Sequence, residues 1–271
     1  MRRTPLITLT TDIGWAYAAQ VKAVLLRHDP DLRIVDVAHD IRPQGVREAA
    51  FVLRHAVPRF PAGTIHLAIV DPGVGGARAA IAVRCPDGTR FVGPDNGVLS
   101  LAAEALGGGR AVRLDPDRLS PKGVTSATFE GRDVFAPAAA ALASGRALSG
   151  LGSPTAWKVL RWPTPKRRPD GVEGEVVYLD VFGNAITNIP VEALPEESGE
   201  LRLRVGRGRA RRIRRKRTYA DLTPGGIGVV GSSFGLIELA VRDGSAANRL
   251  GIALGDRVAL ARARRTGKGG K

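Results

Sequence analysis

A chain of 271 residues with 44% hydrophobic and 25% charged residues can bury one large or two modest cores, which excludes disordered and collagen-like classes. Its formal charge of +15 invites a polyanionic partner, while its single cysteine, Cys85, excludes an intramolecular disulfide framework. No apolar run reaches the roughly 18 residues of a membrane span, and the N-terminus passes into a strand pattern without a signal cleavage site, so a cytoplasmic protein is expected.

In chain order, ITLTTDI (7–13), RIVDVA (33–38), TIHLAIVD (64–71), AAIAVRC (79–85) and RFVGPD (90–95) read as strands, continuous and β-branched as buried parallel or mixed strands are. AYAAQVKAVLLRH (16–28), VREAAFVLRHAV (46–57) and DVFAPAAAALASG (133–145) carry apolar residues at helical spacing. Residues 1–151 are therefore predicted to form an α/β domain on a mostly parallel central sheet. Residues 152–173 are rich in Pro and charge and read as a linker. From 174 to 263, GEVVYLDVFG, AITNIPV, LRLRV, IGVVGSS, LIELAV and RVALARA predict a smaller β-barrel-like domain. The basic tail, 264–271, is expected to be disordered.

Ten of the basic residues fall between Arg202 and Arg217. The alternation Leu, Arg, Leu, Arg, Val is that of a half-exposed strand, and no aromatic residues interleave to stack bases. A solvated basic face is the default reading, and a nucleic-acid partner is not expected. Cys85 reads as a passive, buried thiol.

Chemistry concentrates in VDPGVGGAR (70–78) and VGPDNGVLS (92–100), where Asp71 and Asp95 each end an apolar run beside Pro and Gly. Carboxylates that become available where a strand turns mark a site at the carboxyl end of a sheet. From the loop 70–78, Asp71 and Arg78 could converge on one small volume, or simply pair with each other. Asp12, between a strand and a helix, suits either a ribose diol or an N-cap. Glu130 lies in TFEGRD, and Phe129 beside it suits a nucleoside pocket or the core. Arg132 and Asp133 read as an internal ion pair. In DVFGNAITNI (180–189), Asp180 and Asn184 flank the Phe182–Gly183 turn, and an Asn amide offers the donor and acceptor that an adenine edge requires, though Asn also favours turns. No Cys or His cluster has metal-ligand spacing, so neither metal nor cofactor is expected.

The segments TTDIG, VDPGVGGAR, GPDNGVLS, TFEGRDVFAPAAA, DVFGNAITNI and SSFGLIELAVRDGSAA occur in this order. Together they resemble the S-adenosyl-L-methionine hydrolase (adenosine-forming) family, or SAM hydroxide adenosyltransferases, related to the fluorinases and chlorinases. The resemblance implies that S-adenosyl-L-methionine is the substrate, with Asp12 holding the ribose hydroxyls. Asp71 and Arg78 match two members of a catalytic Asp, Arg and His set, and Glu130 stands where relatives carry the histidine. It further implies substrate contacts from Phe129, Phe182 and Asn184, the last to adenine, from Asp180 near the methionine amino group, and from Ser233 with Glu238 just beyond. A homotrimer with sites between subunits follows from it as well. The retained carboxylates disfavour a halogenase, because they repel a halide. A non-catalytic SAM or adenosine sensor, or a nucleic-acid-binding protein acting through 202–217, is the reading from another class.

Overall fold

The computed structural model describes residues 5–119, 126–194 and 200–263. They divide after Arg161 into two compact units.

The first unit is built on a seven-stranded sheet. Its strands are β1 (Leu6–Thr11), β2 (Arg33–Ala38), β3 (Ile65–Ile69), β4 (Ala80–Arg84), β5 (Arg90–Pro94), β6 (Arg110–Leu114) and β7 (Gly152–Thr155), in spatial order β2-β1-β3-β5-β4-β6-β7. Pairings β1–β2, β1–β3 and β3–β5 are parallel, and β4 runs antiparallel to both β5 and β6. β7 is antiparallel to β6, so five of the seven strands point the same way, as the mostly parallel reading requires.

The helices are α1 (Gly14–His28), α2 (Val46–Ala56), α3 (Ser100–Ala105), α4 (Pro116–Leu119) and α5 (Ala136–Ala143). α1 and α5 bury Val21, Leu25 and Leu142 on Ile7, Leu9 and Leu67, while α2 and α3 cover Ala68, Ile81 and Phe91 on the other face. The β3 run IHLAI is buried at every position because both faces are covered. β2 departs from the expectation of a buried strand: it lies at the sheet edge, with Val35 and Asp36 exposed.

Within 152–173, Gly152–Thr155 form β7 at the edge of the first sheet, residues 156–161 still belong to the first unit, and the second unit begins at Trp162. One further expectation is corrected: the segment 133–145 is not one α-helix. Pro137 sits in the first turn of α5, and the preceding Gly131–Phe135 forms a π turn in which the Ala136 N–H donates to the Gly131 carbonyl. Proline offers no N–H and crowds the carbonyl four residues back, so the chain widens here instead of continuing an α-helix.

His66 on β3 is 1% exposed, its Nδ1 bonded to Thr8 Oγ1 at 2.7 Å, its ring stacked on Phe91. Burial pushes its pKa down from 6.5 to about 4, and among the described residues Nε2 has no hydrogen-bond partner. The unfolded chain therefore takes up the proton first. The stability His66 contributes is complete above its unfolded value and is lost as pH falls toward the folded one. Urea unfolding at pH 7 and pH 5 should differ by about 2 kcal/mol from this residue. A His66→Phe variant should lose that much of the pH dependence. Identical pH dependence in variant and parent would refute the assignment.

The second unit holds β8 (Lys166–Arg168), β9 (Gly171–Leu179), β10 (Ala185–Pro190), β11 (Glu200–Val205), β12 (Arg211–Arg214), β13 (Ile227–Gly231), β14 (Leu236–Val241) and β15 (Arg257–Arg262), with α6 (Ala246–Leu250). All its named pairings are antiparallel, in the order β12-β11-β15-β9-β10-β14-β13 with β8 on β9. The outer strands meet where Arg215 bridges Val229 and the Lys216 N–H donates to the Val229 carbonyl, closing the sheet into the expected barrel. β11 alternates as its sequence demands: Leu201 and Leu203 are buried, Arg202 and Arg204 exposed. The tail 264–271 lies outside the described residues.

Candidate active site

In the first unit the chemistry gathers where β1 and β3 end. Asp12 follows β1, yet it does not cap α1: the N-cap is Ile13, without a side-chain bond. The Asp12 carboxylate instead accepts the Gln44 N–H at 2.8 Å. Gln44 makes that bond from a φ of +65°, a left-handed conformation that non-glycine residues seldom adopt. Burial holds the Asp12 pKa above its ordinary value despite this bond, and the charge of Asp71 adds to the rise.

Asp71 follows β3 and opens a run of tight turns. Its Oδ1 accepts the Gly73 N–H at 3.2 Å, and Gly75, at φ +72°, lies where a Cβ would come within 2.7 Å of the Ala127 carbonyl. The loop thus folds back to bring Arg78 onto Asp71. Arg78 Nε donates to both Asp71 oxygens, at 3.0 and 2.9 Å, while Nη2 bonds Asp71 Oδ2 and Glu130 Oε2. The guanidinium also lies over the Phe135 ring. Burial opposes its charge, but the two carboxylates prevail and raise the Arg78 pKa.

The side chains of Asp71 and Arg78 are 6% and 8% exposed, that of Glu130 20%, so Glu130 is the member most open to an incoming molecule. Arg78 and Glu130 line a cavity of about 420 Å³ together with Arg113 and Ser153. With two carboxylates and one guanidinium, the cluster carries a formal charge of −1.

The π turn delivers Glu130, which directly precedes it. Gly131 packs on Ile69, where a Cβ would lie 3.0 Å from Ile69 Cγ2, and this seats the turn on the end of β3. Arg132 and Asp133 form the expected ion pair at 2.7 Å, and Asp133 also accepts the Ser126 N–H. Phe129 is half-buried, under Arg132 and edge-on to the exposed Tyr17. Asp95 is not brought to this cluster; its Oδ1 accepts the Lys158 N–H. Its neighbour Asn96 binds the Val70 carbonyl through Nδ2 at 2.8 Å, so GPDNG supports the strand end that carries Asp71.

In the second unit, Asp180 and Asn184 form one turn between β9 and β10. Asp180 Oδ1 accepts the N–H groups of Phe182 and Asn184, and Asn184 Nδ2 donates to Asp180 Oδ2 at 2.9 Å. Local structure thus occupies much of the pair, the Asn184 backbone carbonyl included, and leaves the side-chain Oδ1 of Asn184 for a ligand. Phe182 and Val181 are 73% and 83% exposed, an apolar tip suited to contact. Gly183, at φ +78°, would place a Cβ 2.1 Å from Ser245 Oγ. Gly183→Ala should cost about 2 kcal/mol from strain and clash and raise KM more than it lowers kcat; unchanged melting and unchanged KM would remove the turn from the site.

Ser233 is exposed, and it is Ser232 that orders the loop by accepting the Phe234 and Leu236 N–H groups. Glu238, on β14, is 3% exposed and accepts from the Tyr219 hydroxyl at 2.7 Å. Burial raises its pKa, and the nearby Asp180 adds to that. Glu238 is a buried partner of Tyr219 more than a surface contact. Gln44, Phe135 and Tyr219 escaped the sequence reading, since each acts through long-range placement that no local motif marks.

The two units define the class: an α/β domain with a carboxylate–guanidinium–carboxylate cluster at its strand ends, followed by an antiparallel barrel. Residues 7–152 match the SAM hydroxide adenosyltransferase N-terminal domain and residues 174–259 its C-terminal domain, and the chain belongs to that family. It is 45% identical over 266 residues to the (R)-S-adenosyl-L-methionine hydrolase of Salinispora tropica, covering 95% of this chain and 98% of that one. A fluorinase of Actinoplanes sp. is 27% identical, with 68% of this chain and 72% of that one covered. Among solved structures, an uncharacterized conserved protein of Thermotoga maritima superposes with a TM-score of 0.87 at 36% identity, over 94% of this chain and 100% of that one.

Proposed function

We infer that this chain hydrolyses S-adenosyl-L-methionine to adenosine and L-methionine by attack of water at C5′. The observation that carries the reading is the net negative cluster Asp71–Arg78–Glu130, which attracts a sulfonium cation and repels a halide, and so favours hydrolase over halogenase. In the reaction the water oxygen bonds to C5′ and the C5′–S pair leaves with sulfur as neutral methionine. The displaced water proton passes to Glu130. A neutral thioether needs no acid or metal to leave, so the protein's task is to position and polarise water. Arg78 holds both carboxylates in register and faces the developing hydroxide charge. Asp12, Phe129, Asp180, Phe182, Asn184 and Ser233 are assigned to the substrate by resemblance, Glu238 behind them.

We further propose a cytoplasmic homotrimer in which domains of neighbouring subunits share each ligand, without a nucleic-acid partner. Ligand-type motifs in both halves of the sequence support the shared site. The lack of aromatics in the basic run supports the last point, and no described helix is long and apolar enough to cross a membrane.

The test is incubation with each sulfonium epimer of S-adenosylmethionine in oxygen-18 water, with and without chloride. The Salinispora relative is named for the (R) epimer, and that epimer should give labelled adenosine here. Retained binding without turnover would instead make the protein a sensor, and a chlorinated nucleoside would make it a halogenase.

A further inference from the structure

At the β11–β12 hairpin the second unit contains a cavity of about 280 Å³ that shares no residue with the site described above. Arg209 and Arg211 line it, and neither makes an ion pair among the described residues. Arg211 is exposed but stands opposite the buried Leu203 across the β11–β12 ladder, so it shares the face of Leu203, whereas Arg202 and Arg204 lie on the other face. Leu203 and Leu250 supply an apolar wall.

The lone acid, Asp256, is engaged in its own turn, accepting the Ala253 N–H at 2.8 Å. The hairpin glycines likewise use their N–H groups internally: Gly206 donates to the Arg257 carbonyl and Gly208 to that of Val205. The free donors are therefore the two guanidiniums, and their forked geometry suits phosphate oxygens. The wall is preformed, because α6 is capped by Ser245 at its start and ended by Gly251 at φ +59°.

We propose that this cavity binds a small organic phosphate, the guanidiniums taking the phosphate and the leucines its carbon portion. Its volume lies just below the roughly 300–1,000 Å³ usual for ligand pockets, which suits a compact anion. A nucleic-acid strand would lie instead along the other face with Arg202 and Arg204.

The experiment is calorimetric titration of the full chain with pyrophosphate and with UDP, whose base is not adenine. One saturable site per chain is expected, with UDP the tighter ligand. Arg209→Gln with Arg211→Gln should weaken both by roughly a hundredfold, about tenfold per guanidinium. Arg202→Gln with Arg204→Gln removes the same charge from the other face and should leave affinity nearly unchanged. No saturable binding, or equal weakening by both pairs, overturns the proposal, the latter by reducing it to diffuse charge.

Discussion

Replacing Arg78 by methionine should lower kcat by roughly a hundred- to a thousandfold, the scale of losing one preorganised donor in a catalytic site. Stability should fall with it. Arg78 is held by Asp71 and Glu130 in a cluster whose three side chains are at most 20% exposed, so its removal leaves two carboxylates facing each other without a cation. Breaking a buried pair this way costs on the order of 3–5 kcal/mol, discounted here because Glu130 keeps some solvent. Arg78→Lys separates the two effects. An ammonium restores the charge and much of the stability, but as a point donor it cannot hold both Asp71 oxygens while reaching Glu130. Lysine should thus refold the loop and leave kcat depressed. Steady-state kinetics and urea unfolding of both variants decide the matter: a lysine variant as active as the parent would show that charge alone suffices.

Much of this site could be read in the sequence because its parts are local. Asp71 and Arg78 are seven residues apart in a glycine-rich loop, so backbone freedom allows the convergence that the structure shows. Glu130 is 52 residues beyond Arg78, and only its family position linked the two. The bond to Arg78 depends on the π turn, which periodicity cannot reveal: the apolar spacing of DVFAPAAAALASG reads as one helix, and Pro137 decides otherwise. Asp12 is the converse case. Both a cap and a ligand contact suited its sequence position, and the N-cap at Ile13 removes the first. The strands β7 and β8 within residues 152–173 were not legible, because four and three residues are too short to show a strand period.

Glu130→Gln should lower kcat by roughly a hundred- to ten-thousandfold, the range of a lost general base, with KM moving far less. The substitution is nearly isosteric, and the amide oxygen can still accept from Arg78, so the loop should stay folded and the melting temperature close to that of the parent. What changes is the ability to receive a proton as the water oxygen bonds to C5′. Glu130→His then tests whether the position, more than the carboxylate, is what the reaction requires. An imidazole there should restore part of the lost rate and add to the pH–rate profile a limb near the ordinary histidine value of about 6.5, absent from Glu130→Gln. It also removes one negative charge from the cluster, so the attraction for the sulfonium weakens and KM should rise modestly at low salt. Parent-like turnover by Glu130→Gln would move the base to Asp71, and the histidine variant would then show no new limb.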